Sequence, residues 1–303
     1  MRILIVSLGS IGRRHVTNLR QLEPTAEVCL LRRAVDPTLD ETQVTTLEAA
    51  LAFAPDAALI CSPAPQHIEV ATALAARGVA LFIEKPLSHD LAGVTELLTL
   101  AREKGTPLMV GYCLRYFAPL RALRDEVLAG KIGRLLHIHT EVGQHLADWR
   151  PGSNYRNSVT AQRALGGGAL LELSHEIDTA LWFGGEVESV TAQLGTLGDL
   201  GLDVEDTADL QLRFRNGILG TIHLDLRQRP ARRVCRLIGT GGTLTLDLLA
   251  ATADRNAMYL EELRHFLDCA RTRRQPEISG EDGLRVLEVI AAARRSKNQT
   301  LSS

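Results

Sequence analysis

The chain has 303 residues, of which 45% are hydrophobic and 23% charged, and its formal net charge at pH 7 is −2. This length and apolar content exclude a disordered chain and predict about two domains of ~150 residues each. The charge balance lacks the basic excess that attracts nucleic acid or an anionic membrane, and no apolar run approaches the ~18 residues of a spanning helix.

The five cysteines are far apart in sequence and odd in number, and four of them lie in apolar strand or helix patterns. This pattern predicts that the cysteines are small buried hydrophobic residues and not disulfide partners, as is typical of a protein in a reducing compartment. The chain opens on a strand pattern without the basic and apolar regions of a secretory signal. We therefore expect a soluble, cytoplasmic protein that binds a small molecule.

Through about residue 115, apolar strand patterns alternate with amphipathic helix patterns. Strands are predicted at 3–6, 28–31, 57–61, 80–83 and 107–111, and helices near 11–22, 45–53, 67–77 and 91–105. Continuous apolar strands that alternate with helices predict a parallel sheet covered on both faces. We expect an α/β, doubly wound (Rossmann) domain over residues 1–117.

After residue 133 the patterns change to longer strands joined by turn signals, at 210–226 and 235–248. Asn216-Gly217 is a strong signal for a tight hairpin. Helices are predicted at 118–129, from near Leu170 and at 281–295. We expect residues 118–303 to form an α+β domain with a mostly antiparallel sheet, whose last helix packs back on the first domain.

The loop between the first strand and the first helix holds the stretch Ser7-Leu-Gly9-Ser10-Ile11-Gly12. It matches the dinucleotide-binding pattern G-x-G-x-x-G except that Ser7 stands at the first glycine, a position that a serine tolerates if its φ is negative. The following helix N-terminus can hold a pyrophosphate. We predict that Ser7, Gly9, Ser10, Ile11 and Gly12 bind a dinucleotide; the alternative is an ordinary strand-to-helix turn.

The second strand ends in Arg32-Arg33, about twenty residues after Gly12. An NAD-preferring site usually places an acidic residue there, on the ribose 2′-hydroxyl. Two arginines favour the 2′-phosphate of NADP, with NAD as the alternative cofactor. If the arginines are only a solvated strand end, they carry no such preference.

Two later strand patterns also end in polar residues, at the edge of the sheet where doubly wound domains bind ligands. One is followed by Ser62-Pro63-Ala-Pro-Gln-His67, and the other ends in Glu84-Lys85-Pro86. We predict that Ser62, Pro63, His67, Glu84 and Lys85 contact the cofactor. Pro86 restrains Lys85 and can hold the bond before it in a special geometry.

Three glycines, 166–168, precede a helix pattern that carries Glu172, His175 and Asp178 three residues apart on one face. The glycines allow the backbone to approach a cofactor or another chain segment. An acid–His–acid stripe can move protons, although such a stripe is also typical of a solvated helix face. The histidines elsewhere, including His137 and His139, lack partners at metal-ligand spacing, so we predict no metal site.

A donor-rich segment precedes these glycines. Arg150, Tyr155 and Arg156 lie in it, and Arg115 lies in the earlier stretch GYCLRY. Arginine forks match carboxylate and phosphate geometry, so these residues predict an acidic or nucleotide-linked substrate. The alternative is that the arginines brace the loop.

The chain resembles the Gfo/Idh/MocA oxidoreductases over nearly its whole length. The resemblance rests on seven stretches in this order: SLGSIG, SPAPQH, Glu84-Lys85-Pro86, GYCLRY, GKIG at 130–133, GGG and HEID. The resemblance implies NAD(P)-dependent hydride transfer to or from a sugar, cyclitol or related polyol. It also implies an open-faced second sheet that serves a homo-oligomer, a dimer or tetramer. Lys85 and His175 match the family's catalytic lysine and histidine, and Asp178 matches the acid one helical turn later.

Ser7 departs from the family pattern, and so does Glu172, since the family commonly places an aspartate four residues before the histidine. We assign Glu172 to substrate binding. In this scheme His175 takes the hydroxyl proton and Lys85 stabilises the developing alkoxide, from opposite domains, in either direction of reaction. Two alternatives stay open: a non-catalytic module that senses a nucleotide or binds a protein, and a tightly bound NAD recycled within an elimination or hydrolysis.

Overall fold

The structure is a computed structural model that describes residues 1–149, 152 and 154–296. It forms two compact units. The first combines residues 1–113 with residues 255–284, and the second holds residues 114–254 and the chain from residue 285 onward. The sequence-based division at residue 117 did not anticipate that residues 255–284 belong to the first unit.

The first unit is built on a six-stranded, fully parallel sheet in the order β3-β2-β1-β4-β5-β6. Its strands are β1 (Arg2–Val6), β2 (Glu27–Leu31), β3 (Thr42–Val44), β4 (Ala57–Ile60), β5 (Ala80–Glu84) and β6 (Leu108–Gly111). The central strands are apolar and buried because helices cover both faces of the sheet. The predicted doubly wound domain is confirmed, and β3 is an additional edge strand that was not predicted.

The helices of the first unit are α1 (Ser10–Leu22), α2 (Leu47–Ala52), α3 (His67–Ala75), α4 (Val94–Glu103) and the later α8 (Arg255–Thr272). The first four confirm the predicted helices: α1 begins one residue earlier than predicted, and the other three are two to five residues shorter. No helix was predicted over the residues of α8. It buries Leu263, Phe266 and Leu267, and the Phe266 ring meets Phe82 of β5 edge-on at 5.6 Å, so α8 completes the core of this unit.

The second unit carries a six-stranded mixed sheet in the order β12-β11-β7-β10-β9-β8. Its strands are β7 (Leu135–Gly143), β8 (Val187–Gly195), β9 (Thr207–Phe214), β10 (Leu219–Asp225), β11 (Arg232–Gly239) and β12 (Gly242–Asp247). The β7–β10 pair is parallel and the other pairs are antiparallel. Gly217 has a φ of +84° in the β9–β10 turn, which confirms the Asn216-Gly217 hairpin.

Three α-helices lie within the described part of the second unit, namely α5 (Ala118–Leu128), α6 (Ala169–Glu172) and α7 (His175–Gly184), and α9 (Gly280–Arg295) passes into it at residue 285. The single helix expected after the three glycines is in fact two. The backbone at Leu173 leaves the helical region, with φ −99° and ψ 23°, and interrupts the hydrogen-bond ladder. No helix in the described part of the chain has the length and apolarity needed to cross a membrane.

Candidate functional site

The glycine loop places Ser7 in the left-handed region, with a φ of +72°. The expectation of a negative φ at Ser7 is therefore wrong. In this conformation the Ser7 carbonyl oxygen lies close to the first turn of α1, since a Cβ on Gly12 would lie 2.5 Å from it. The loop thus keeps the tight path of a dinucleotide-binding turn although its first glycine is absent.

The N-terminus of α1 fits the phosphates of a dinucleotide. Gly9 is the N-cap and provides no side-chain cap, and the first turn contains no acidic residue. The first backbone N–H groups of a helix lack intrahelical partners and favour an anion. A Cβ built on Gly9 meets nothing within 4 Å, so at this glycine the loop is open to an approaching ligand.

Ser62 lies at the carboxyl end of β4, the strand next to β1. Its side chain is buried, and its Oγ has no hydrogen-bond partner among the described residues. A buried hydroxyl is normally satisfied. The unsatisfied Oγ at the ligand-binding edge of the sheet is a second feature that fits a bound dinucleotide. Ser10 is exposed, and Ile11 and Pro63 are partly exposed at the same edge.

His67 braces two loops at this edge. Its Nε2 lies 2.7 Å from the Ser62 carbonyl oxygen and its Nδ1 lies 3.1 Å from the Pro86 carbonyl oxygen. Burial lowers the pKa of this imidazole. Both ring nitrogens are engaged by the backbone, so the structure gives His67 a bracing role between the loops that follow β4 and β5.

The Lys85–Pro86 peptide bond is cis, as the sequence allowed. Lys85 follows β5 directly and is partly exposed. Glu84 is buried, with its Oε1 2.6 Å from His15 Nε2, while the Lys85 backbone N–H donates to Oε2 at 3.2 Å. The Glu84 carboxylate is therefore engaged inside the first unit, by His15 and by the Lys85 backbone. No role was predicted for His15.

The two arginines after β2 differ in their surroundings. Arg32 donates through Nη1 to Gln43 Oε1 at 3.0 Å and lies 3.5 Å from Asp36 Oδ2. Arg33 is exposed. The Arg32 guanidinium is thus held by its own loop, whereas Arg33 forms neither a hydrogen bond nor an ion pair with Asp36 or Gln43.

In the second unit, the three glycines bring chain segments together. A Cβ on Gly167 would overlap the carbonyl oxygens of Val159 and Thr160, and a Cβ on Gly168 would meet the Glu205 carboxylate at 2.5 Å. Glu205 also accepts a hydrogen bond from the Leu170 backbone N–H at 3.3 Å, at the start of α6. Of the two interpretations left open, the close approach to another chain segment is the one seen.

The Arg115 side chain forms a buried fork with Asp178, since Nε donates to Oδ2 at 3.0 Å and Nη2 donates to Oδ1 at 2.6 Å. Arg115 is 5% exposed and Asp178 is fully buried. Glu172 accepts from Thr160 Oγ1 at 3.1 Å, and His175 is partly exposed at the start of α7. The predicted stripe is therefore divided, and each acid has a partner of its own.

Within the donor-rich segment, Arg150 lies outside the described residues. The Tyr155 hydroxyl donates to the Leu200 carbonyl oxygen at 3.1 Å, so it braces the loop. Arg156 is exposed, and its guanidinium lies 4.9 Å from the centre of the Tyr155 ring. No group of three or more His, Cys, Asp or Glu side chains in the described residues could hold a metal ion.

Two family models match most of the chain. Residues 1–112 match the model described as an oxidoreductase family with an NAD-binding Rossmann fold, and residues 120–245 match the GFO/IDH/MocA C-terminal domain. The myo-inositol 2-dehydrogenase of Thermotoga maritima is 28% identical over 342 residues, covering 100% of this chain and 98% of that enzyme. The 1,5-anhydro-D-fructose reductase of Ensifer adhaerens is 26% identical, covering 76% of this chain and 73% of that enzyme.

Among solved structures, the WlbA dehydrogenase from Bordetella pertussis, in complex with NADH and UDP-GlcNAcA, superposes with a TM-score of 0.85. It is 25% identical, and the match covers 98% of this chain and 96% of that one. The predicted two-domain fold class is confirmed by these matches and by the two sheets described above.

Proposed function

Because the chain belongs to the GFO/IDH/MocA oxidoreductase family, we propose that it transfers a hydride between a nicotinamide dinucleotide and a secondary hydroxyl or ketone carbon of a sugar, cyclitol or sugar derivative. One observation carries the proposal. The open glycine loop, the unsatisfied Ser62 Oγ and Lys85 all lie at the carboxyl ends of the parallel strands β1, β4 and β5.

A nicotinamide dinucleotide held at the glycine loop and at Ser62 would supply the hydride acceptor or donor for the substrate carbon. In the direction of oxidation, the His175 imidazole takes the hydroxyl proton, while the C–H bond breaks and the C=O bond forms. The Lys85 ammonium stabilises the alkoxide that develops on the oxygen. In the direction of reduction the substrate oxygen takes its one proton from His175 or from Lys85, and relatives named both as a dehydrogenase and as a reductase support either direction.

Asp178 and Arg115 serve His175 in this scheme. Asp178 lies in the first turn of α7, which begins at His175. The buried fork joins this turn to Arg115, three residues before α5. We therefore assign both residues to positioning, and Arg115 is not available as a separate anion site. Among the described arginines of the donor-rich segment and GYCLRY, Arg156, which is exposed, then remains to recognise an acidic group on the substrate.

A substrate panel tests this assignment. Myo-inositol represents neutral cyclitols, and a UDP-linked uronic acid represents acidic nucleotide sugars, following the relatives' names. We expect turnover of the acidic member and a rise of about tenfold or more in KM when Arg156 is changed to Ala, since a charge-assisted contact is lost. Turnover of neutral members alone would overturn the acidic class while leaving the oxidoreductase intact.

For the cofactor we propose NADP(H), held at its 2′-phosphate by Arg33, with NAD(H) as the weaker ligand. A guanidinium–phosphate contact is worth roughly 1.5–3 kcal/mol, so tenfold or tighter binding of NADPH is expected. Fluorescence titration of both nucleotides measures it. Arg33→Ala should remove the preference, whereas Arg77→Ala, an exposed arginine elsewhere in the first unit, should leave it unchanged. Equal affinities for the two nucleotides would overturn the NADP assignment.

The catalytic pair is tested by substitution. We expect Lys85→Ala and His175→Ala each to lower kcat at least about a hundredfold with little change in nucleotide affinity. The double variant should lose little more, because residues that act as a unit are not additive. Lys104→Ala, at an exposed lysine, is the matched control. Normal turnover in either single variant would overturn the shared catalytic role of Lys85 and His175. A wild-type protein that binds nucleotide but turns over no member of the substrate panel would favour the non-catalytic, nucleotide-sensing module.

We also propose a homo-oligomer formed through the open face of the second sheet, and a cytoplasmic location. In β9 the residues of one face are buried and the others, Asp209, Gln211 and Arg213, are exposed. The five cysteines are free and buried, as is typical of a reducing compartment. Light scattering coupled to gel filtration measures the oligomeric state, and a monomer at all concentrations would refute it.

A further inference from the structure

The first unit contains a buried polar pair that the proposed chemistry does not use. His15 lies three residues beyond Gly12 on α1, is 0% exposed, and places Nε2 2.6 Å from Glu84 Oε1. Its ring packs edge-on against Phe82 at 5.1 Å and against Tyr259 of α8 at 6.5 Å. A hydrogen bond shielded in this way is stronger than one in water and is costly to leave unmade.

Both oxygens of Glu84 are engaged. Oε1 meets His15, and Oε2 accepts the backbone N–H of Lys85 at 3.2 Å. The neighbouring strand leaves little further room, because a Cβ on Gly111 would lie 3.2 Å from Oε2. The carboxylate therefore spans from the helix of the glycine loop to the backbone of the lysine and has little freedom to turn.

We propose that His15 and Glu84 are positioning residues, which fix the backbone of Lys85 relative to the glycine loop. The inference rests on the proposed function for the role of Lys85. The glycine loop and α1 are continuous in the chain. A dinucleotide bound at Gly9 and the lysine held through Glu84 are therefore both positioned by the same helix, α1. Displacement of a reacting group by about 1 Å can lower the rate a hundredfold, and this pair prevents such a displacement.

The packing of α8 supports this role. The Tyr259 ring packs edge-on against the His15 ring, and the guanidinium of Arg14 lies over the Tyr259 ring, 4.4 Å from its centre. Phe266 of the same helix contacts Phe82, the residue two before Glu84 in β5. Helix α8 thereby excludes water from the hydrogen bond that joins α1 to β5.

A matched pair of variants tests the proposal. His15→Gln keeps an N–H donor near the position of Nε2, and His15→Met has a comparable volume without the donor. We expect His15→Met to lower kcat by about ten- to a hundredfold with nucleotide affinity within about threefold of the wild type, and His15→Gln to recover most of the loss. Asn18→Ala is the control, since it breaks the hydrogen bonds between Asn18 and Asn256 on the same helix, 3.0 and 3.3 Å long.

A second readout needs no turnover. The chain has four lysines, Lys85, Lys104, Lys131 and Lys297, so acetylation of each by acetic anhydride can be followed by mass spectrometry. With saturating NADPH, or NADH if that binds more tightly, we expect Lys85 of the wild type and of His15→Gln to be protected about fivefold or more relative to Lys104. In His15→Met the protection should fall below about twofold at equal nucleotide saturation.

Equal protection of Lys85 in His15→Met and His15→Gln would overturn the positioning role while leaving the proposed function standing. Absence of protection in the wild type, with nucleotide bound, would overturn both. If His15→Met does not fold, Glu84→Gln and Glu84→Met provide the same comparison. The amide can still accept the Lys85 N–H and donate to His15, and the thioether can do neither well.

Discussion

Ser7 shows how a single residue can carry strain within a ligand-binding loop. Its φ of +72° lies in the region that suits glycine, and its carbonyl oxygen is the group that forbids a side chain at Gly12. A non-glycine residue in this region costs roughly 1–2 kcal/mol. The loop thus keeps its path at the expense of some folding free energy.

We predict that Ser7→Gly raises the free energy of unfolding by about 0.5–1 kcal/mol, because relief of the left-handed strain exceeds the entropic cost of glycine. Nucleotide affinity should stay within about threefold. Ala54, with a φ of +49°, is a matched site that precedes β4, so Ala54→Gly should give a similar gain. Urea unfolding measures both, and a loss of stability in Ser7→Gly would contradict the interpretation.

The fork between Arg115 and Asp178 gives a second prediction for single residues. Asp178→Asn removes the negative charge from this buried ion pair, so we expect a loss of about 3 kcal/mol in unfolding free energy and a fall in kcat. Replacing both residues by apolar ones, Arg115→Met with Asp178→Leu, should recover most of the stability but not the turnover. Recovery of both would mean that the fork does not position His175.

The residue types at the site were visible in the sequence, but their partners were not. Arg115 and Asp178 are 63 positions apart, and nothing in their spacing indicates that the arginine forms a fork with this acid and not with a substrate. Likewise, the polar context of His67 predicted a ligand contact, whereas the folded loops engage both ring nitrogens. Such pairings depend on tertiary structure, which local patterns do not specify.

At the scale of secondary-structure elements, the pairing of β10 with β9 in the second sheet brings His223 beside Asp209. Its Nδ1 lies 2.7 Å from Asp209 Oδ1, and its Nε2 lies 3.0 Å from Asp225 Oδ2. The hydrogen bond to Asp225, followed by that to Asp209, raises the pKa of His223 to about 9. The imidazolium form therefore stabilises the folded sheet.

This raised pKa predicts a pH-dependent stability. A group whose pKa is higher in the folded state contributes its stability fully below the unfolded value, near 6.5, and loses it as the pH rises through about 9. We expect the difference in unfolding free energy between the wild type and His223→Gln to shrink by about 1–2 kcal/mol over this window, after allowance for partial solvent exposure.

His137 of β7 serves as the control for this titration, because burial lowers its pKa. The effect of His137→Gln should therefore change below about pH 6.5 and stay flat above it. Denaturant midpoints measured between about pH 5 and 9.5 distinguish the two residues. A flat difference for His223→Gln would mean that the ion pairs add nothing to stability.

Long apolar strands and the first four helices could be predicted because their periodicity is strong, whereas other elements depend on distant contacts. Strand β3 has three residues and pairs at the edge of the sheet, so its pattern is too short to detect. The buried face of α8 includes Glu262, which interrupts the apolar stripe that marks a helix. The break at Leu173 falls within a continuous helical pattern and could not be predicted from it.

At the scale of the whole molecule, the first unit is assembled from two separate stretches of chain. Residues 255–284 supply α8, and Ile278 and Ser279 lie against β6, where the Val110 N–H donates to the Ile278 carbonyl oxygen at 3.2 Å. The core around Phe82 is therefore incomplete without a segment that follows the second sheet in sequence.

We predict that a fragment of residues 1–113 does not unfold cooperatively, because it exposes the apolar surface that α8 and Ile278 cover. Residues 1–113 joined by a short flexible linker to residues 255–284 should regain a cooperative transition and nucleotide binding. Calorimetry and fluorescence titration measure the two properties. A cooperative transition of the shorter fragment would show that α8 is dispensable.

The same arrangement constrains how the protein matures on the ribosome. Domains generally fold in order of emergence, but here the dinucleotide-binding half must wait for its last helix until the entire β7–β12 sheet has been translated. At roughly 5–20 residues per second, that wait is on the order of 10–30 s. During this interval the strand β5 and its neighbours lack their permanent cover, so the nascent chain presents an apolar face to chaperones before it can capture its nucleotide.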